Sequence, residues 1–231
     1  MNTKHYLNAA SEAAVAALLT AALLSASFFI IEPQVGQAQD SATFTISQTI
    51  TGETSFLVDP TNTTLSGSLN GITGGTANGS TTVVVQTNSS TGYTMDIAFA
   101  TTSTGNAMQA QNNPSSSIHD YPATSSQPTF LFSTASTSAV FAYTISASNA
   151  SDVDQSFKNN GTACNTGGSY TADRCWMEPA FSNFRVIDRT TAATTGATST
   201  LQFRVYVPNN PTPGLVADTY TATATLTVAP Q

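Results

Sequence analysis

The sequence predicts an all-β protein: an antiparallel β-sandwich, Ig-like or jelly-roll-like, of about nine strands, behind an N-terminal apolar segment. Three observations carry that prediction. Residues 219–228, "TYTATATLTV", place threonine at every second position, the two-residue period of a strand with one face on a core and one in water. The same alternation returns along the chain, punctuated by the turn-forming pairs Asn70-Gly71, Asn78-Gly79 and Asn160-Gly161, which readily supply positive φ. The chain is 40% hydrophobic but only 8% charged, and Ser and Thr make up roughly three residues in ten. Its wet faces are therefore solvated by hydroxyls and amides.

The elements follow in chain order. Lys4 and His5 precede the uncharged run 13–31, and small residues Gly36 and Ala38 follow it. This is the layout of a secretory signal, residues 1–38, with cleavage expected between Ala38 and Gln39. Residues 13–31 are also long enough to serve as an uncleaved membrane anchor, the one route to a membrane in the chain. Residues 39–231 then suffice for a single sandwich domain.

Residues 43–50 offer Phe44, Ile46 and Ile50 on one face, with Gln48 as the exception. Runs 55–58, 82–87, 92–100, 129–132, 140–146, 184–187 and 201–207 read as further strands. In the closing run, Tyr220, Ala222, Ala224, Leu226 and Val228 face inward while the threonines face out, as one full-length strand. Two connections, 101–128 and 147–180, exceed ordinary loop length and are expected to form a contact surface.

Cys164 and Cys175 are the two cysteines, and in an exported chain a disulfide between them is expected. No histidine or second cysteine pair lies near enough to complete a zinc site. Trp176, the single tryptophan, follows Cys175, with Tyr170 inside the cysteine loop and Tyr121 in the other long loop. Exposed together, these three rings would stack on a sugar; packed against the bridge, Trp176 would be core.

Catalytic constellations are sparse. His119 stands beside Asp120, but no G-x-S-x-G elbow supplies a nucleophile. Glu53 and Glu178 lack the context of a glycosidase pair. Asn149, Asp152 and Asp154 gather oxygen in one loop as candidate calcium ligands, without the Gly and later Glu of an EF-hand. No metal, cofactor or catalytic residue is assigned. The net charge is −7, and after Lys4 the next Lys or Arg is Lys158, which disfavours nucleic acid as a partner.

The segment 87–100, the 164–176 loop and the ending 205–228 resemble uncharacterised secreted surface proteins of bacteria. The closing strand is similar to the last strand of spore-coat-like, WxL-type and pilin-like β-sandwich proteins, although Ala217-Asp218 replaces their usual Ala-Gly and no W-x-L pair is present. The resemblance implies a surface location and a structural or adhesive role without catalysis. Its partners would be cell-surface or cell-wall components, a glycan among them, or copies of the chain itself. In some pilin-like sandwiches an N-terminal strand fills the groove of the next subunit; here residues 39–50 would provide it, with Phe44, Ile46 and Ile50 as the plug. The other reading makes 43–50 the first strand of its own sandwich. A carbohydrate-binding module built on the disulfide-loop aromatics is the alternative function.

Overall fold

A computed structural model describes residues 3–30, 41–122, 127–132 and 137–231. The expected cleavage site at Ala38 and Gln39 lies outside the described residues. The chain divides into two compact units, Met1–Gln48 and Thr49–Gln231.

The first unit holds helix α1, Thr3–Ile30. The hydroxyl of Thr20 donates back to the Ala16 and Ala17 carbonyls and that of Ser25 to Ala22, which keeps these polar groups satisfied within the helix. Among the described residues no helix is long and apolar enough to cross a membrane. Residues 41–50 carry no regular secondary structure, so the strand expected at 43–50 does not form. Phe44, Ile46 and Ile50 are 83%, 84% and 82% exposed. Alternation by itself does not make a strand, which needs a hydrogen-bonded partner strand.

The second unit is the predicted two-sheet, β-rich body. Its ten strands are β1 Thr54–Val58, β2 Gly75–Thr87, β3 Tyr93–Phe99, β4 Met108–Ala110, β5 Ser117–Asp120, β6 Val140–Ala147, β7 Phe184–Arg189, β8 Ala193–Val207, β9 Tyr220–Thr221 and β10 Ala224–Pro230. Seven form one sheet in the order β1-β2-β8-β6-β5-β4-β9, and three form the other, β10-β3-β7. The larger sheet is a curled half-barrel. All pairings are antiparallel except β5 with β6, where His119 and Asp120 pair in parallel with Val140 and Phe141. That is one departure from the expected antiparallel order. The long connection 101–128 supplies β4 and β5, while 129–132 contributes only a bridge from Thr129 to Trp176.

The closing run is not one strand. Tyr220 and Thr221 pair with β4, Ala222 and Thr223 cross over, and Ala224–Pro230 pairs with β3 from Ala224↔Phe99 to Pro230↔Tyr93. The alternating pattern survives the crossing because both halves keep their apolar side chains toward the same core. Pro230 lacks an N–H, and it is tolerated at the end of an edge strand.

The core lies between the sheets. Met95, Ile97 and Phe99 of β3 face Phe141, Tyr143 and Ile145 of β6 and Leu201 and Val205 of β8, and all are buried. Phe99 meets the Phe141 ring edge-on at 5.8 Å and the Tyr143 ring at 5.4 Å. The other face of β6 is covered too: Val140 and Ala142 pack with Tyr121 and Trp176. No described residue ahead of Phe56 joins either cluster, so Thr49–Gln231 carries its own core. Ile145, fully buried at the centre, sets a stability test. Ile145→Ala removes three buried carbons and leaves a cavity, and urea unfolding should show a loss of about 2–5 kcal/mol.

Candidate functional site

A groove of about 1130 Å³ opens onto the core. Ile97 and Phe99 of β3, Phe141 of β6, Leu201 and Val205 of β8 and Leu226 of β10 form its floor and walls. Its two lips come from chain segments that share no strand pairing with each other among the described residues. One is the stretch after β1. There Thr61 N–H donates to Thr81 Oγ1 at 2.8 Å, Thr63 Oγ1 donates to the Ser80 carbonyl at 3.0 Å, and Ser66 exchanges backbone bonds with Asn78 at 2.7 and 2.9 Å. This lip lies against β2 because Gly79 has no side chain: a Cβ there would stand 2.6 Å from Leu65 Cδ2 and 2.7 Å from Thr63 Cγ2.

The other lip is 215–224 with β10. Among the described residues β10 pairs with β3 alone, so its second edge lacks a ladder. Consequently the expected inward residues of the closing run are only half-covered: Tyr220, Ala222, Leu226 and Val228 are partly buried and Ala224 is exposed. Around the mouth, Leu69, Ile72 and Val216 are 38%, 70% and 41% exposed, and Thr61, Thr63, Thr219, Thr221 and Thr223 add hydroxyls. The groove is apolar inside and hydroxyl-rimmed, with Asp218 as its one charged lining residue. Asp218 is itself occupied, accepting from the Asn112 and Asn113 backbone N–H groups at 2.9 Å each.

The disulfide forms as expected, Cys164 to Cys175 with Cα atoms 5.7 Å apart, and it is compatible with an oxidising, extracellular setting. The aromatics beside it do not form an open platform. Trp176 and Tyr121 are each 1% exposed. The edge of Phe132 meets Trp176 at 5.4 Å and its face stacks on Tyr121 at 4.9 Å, while the Arg204 guanidinium covers the indole at 4.2 Å. Arg204 also donates to Asn78 Oδ1 at 2.7 Å and to Asp173 Oδ1 at 2.9 Å. Tyr170 is half-buried against the core. The expected sugar-stacking trio is thus closed off, because packing and the cation–π contact use the faces a sugar would need. Arg204 was not singled out from sequence: strand alternation places it on the outer face of β8 but does not name its partner.

The candidate calcium ligands are committed elsewhere. Asn149 Oδ1 accepts from Ser151 N–H and its Nδ2 donates to Asp152 Oδ1, each at 3.3 Å. Asp154 Oδ1 accepts from Ser156 N–H at 2.9 Å and its hydroxyl at 2.6 Å. Asp152 is ion-paired with Arg189. These are caps of two short 3-10 turns and a buried ion pair, and among the described residues no cluster of three or more His, Cys, Asp or Glu is placed to hold a metal.

Asp120 is a structural pin. Its Oδ1 accepts from Ala107 N–H at 2.9 Å, and its own N–H donates to Asn106 Oδ1 at 3.3 Å. Burial pushes its carboxyl up to about 6; the Ala107 hydrogen bond and His119 pull it down, and Glu178 pushes it further up. Glu53, the other glutamate of residues 39–231, is held through its backbone by Asn88. No protein family, curated protein or solved structure matches the chain.

Two outcomes test this geometry. The folded chain holds the Asp120 proton up to about pH 6, whereas the unfolded carboxyl releases it near 3.8. Asp120's contribution to stability therefore rises as pH falls from about 6 to about 4, and the Asp120→Asn variant should lose that increment in urea midpoints at pH 7 and 5. Separately, replacing Cys164 and Cys175 together by alanine should cost about 3 kcal/mol by the same unfolding assay.

Proposed function

We propose that this chain is an exported structural subunit of a cell surface that assembles with copies of itself, residues 43–50 of one copy lying in the apolar groove of the next. The groove is the observation that carries the reading. An eight-residue strand is roughly 26 Å long, about 4.8 Å wide at sheet spacing and about 10 Å deep, a volume of roughly 1,200 Å³. The groove's volume, about 1130 Å³, is of the same order as one such strand.

The chemistry matches as well as the size. Phe44, Ile46 and Ile50 are exposed, alternate as a strand requires, and would each gain about 1.5–3 kcal/mol on burial. The start of β10, at Ala224 and Leu226, lines the groove and offers backbone groups to pair with them. An unpaired edge beside an apolar gap is an aggregation hazard unless something covers it, and a segment of the same chain is a specific cover. The disulfide, the leader-like N-terminus and the hydroxyl-rich surface support an extracellular location. Cell-wall or glycan contacts would then fall to the long connections 101–128 and 147–180 of the assembled copies. Adhesion through a tryptophan platform is less supported, because Trp176 is sealed by Arg204.

Light scattering on size-separated residues 39–231 tests the reading. Concentration-dependent polymers are expected; they should be absent from residues 51–231 and from Ile46→Asp, whose charge would be stranded in an apolar groove. Polymers of unchanged length in both would overturn strand donation.

A further inference from the structure

The chain enters the sandwich through an unusually well-held junction. Pairing of β1 with β2 begins at Thr54↔Thr87, yet the chain is gripped before that pair. Asn88 Oδ1 accepts from Glu53 N–H at 2.6 Å, and Asn88 Nδ2 donates to the Thr51 carbonyl at 3.2 Å. The Glu53 carbonyl accepts from Asn88 N–H at 3.3 Å and from the Thr87 hydroxyl at 2.8 Å. The Thr54 and Thr87 hydroxyls lie 2.7 Å apart, and Thr87 is buried. One side-chain amide thus meets a carbonyl and an N–H two residues apart on one edge of the chain, as the peptide group of a neighbouring strand would.

This matters because only residues 51–53 separate the apolar segment from β1. Three-residue connections commonly close β-hairpins. A chain free to turn at 51–53 would lay residues 43–50 beside its own β1 and bring Phe44 and Thr43 opposite Pro60 and Thr61, on the lip of its own groove. Closing so short a loop places the segment at a far higher effective concentration than any second molecule provides. Unrestrained, self-insertion would win and the chain would be a monomer.

We infer that Asn88 is a positioning residue for assembly: by engaging Thr51 and Glu53 it prevents the reverse turn at 51–53 and so reserves the groove for the segment of a second copy. The inference rests on the strand-donation reading. The groups that must reorient in such a turn, the Thr51 carbonyl and both backbone groups of Glu53, are the ones the clamp holds. The local turn 89–92 keeps Asn88 in place. Gly92, at φ +85°, donates to the Ser89 carbonyl at 3.1 Å, and a Cβ there would come within 1.9 Å of the Arg189 carbonyl oxygen.

The test compares residues 39–231 with Asn88→Ala, and with a second variant in which Gly-Ser-Gly-Ser is inserted between Gly52 and Glu53 while Asn88 is kept. Light scattering reads assembly, hydrogen exchange reads the amides of 43–50, and circular dichroism confirms that each variant folds. The parent chain should assemble. Both variants should show polymer mass reduced about ten-fold or more, with the 43–50 amides protected about a hundred-fold in the monomer, because the segment now fills its own groove. Should Asn88→Ala fail to fold, the insertion variant decides alone.

Asn88→Ala that assembles like the parent overturns the inference. So does a monomeric variant whose 43–50 amides exchange freely, since Asn88 would then merely support the start of β1. A parent chain that is monomeric with 43–50 freely exchanging sinks strand donation itself, and this inference with it. A parent monomer with 43–50 protected shows self-insertion despite the clamp and contradicts both.

Discussion

Each sheet of a sandwich must cover the inner face of the other, and here a sheet of three strands faces a sheet of seven. At about 4.8 Å per strand, β10-β3-β7 is too narrow to cover a curled sheet more than twice its strand number. Side chains and loops close most of the difference. The two 3-10 turns bring Phe157 onto Tyr143 and Phe184, and the curl of the larger sheet carries Met108 of β4 and Ile118 of β5 into the same core. What remains open is the strip beside β10, and the apolar groove follows from that deficit.

The rest of the molecule is arranged so that this strip stays open without collapsing. The lip after β1 is held by threonine hydroxyls and by the close approach over Gly79, not by a ladder that would draw it across the gap. The opposite lip is fixed by the crossover at Ala222 and Thr223, which ties the closing run to β4 on one side and β3 on the other. Away from the groove the structure is sealed: Trp176, Tyr121 and Phe132 pack beneath Arg204, and the disulfide anchors the long loop beside them. The threonine-rich faces keep the exposed strands soluble without charge. Such a body has a packed frame with an apolar vacancy beside β10.

Much of the architecture was legible in the residues. Alternation located β3, β6, β7 and the cores of β2 and β8, because those strands send alternate residues into the core between the sheets, and β6 keeps the period although its other face is covered as well. The disulfide followed from two cysteines, the only pair in a chain read as exported, closing a Gly- and Thr-rich loop of little apolar content. Alternation misled at both ends of the chain. At 43–50 it marked a segment with strand chemistry and no ladder. At 219–228 it hid a change of sheet, because crossing from one sheet to the other over a shared core leaves the inward pattern unbroken. The short β4 and β5 were missed because strands of three or four residues are too brief to show a period. The burial of Trp176 turned on Arg204, twenty-eight positions along the chain, a contact that no local pattern announces. The groove is a mismatch between two sheets, and it becomes visible only once the strands are ordered.

The central claim is that the groove is a binding site for the 43–50 segment. The most direct measurement is to titrate isotope-labelled residues 51–231 with a peptide of residues 41–50 and follow side-chain methyl resonances. Saturable shifts at Leu201, Val205 and Leu226, lost when Phe44, Ile46 and Ile50 of the peptide are replaced by serine, are the predicted result. Methyl resonances that do not move, or that move equally with the serine peptide, would contradict the account.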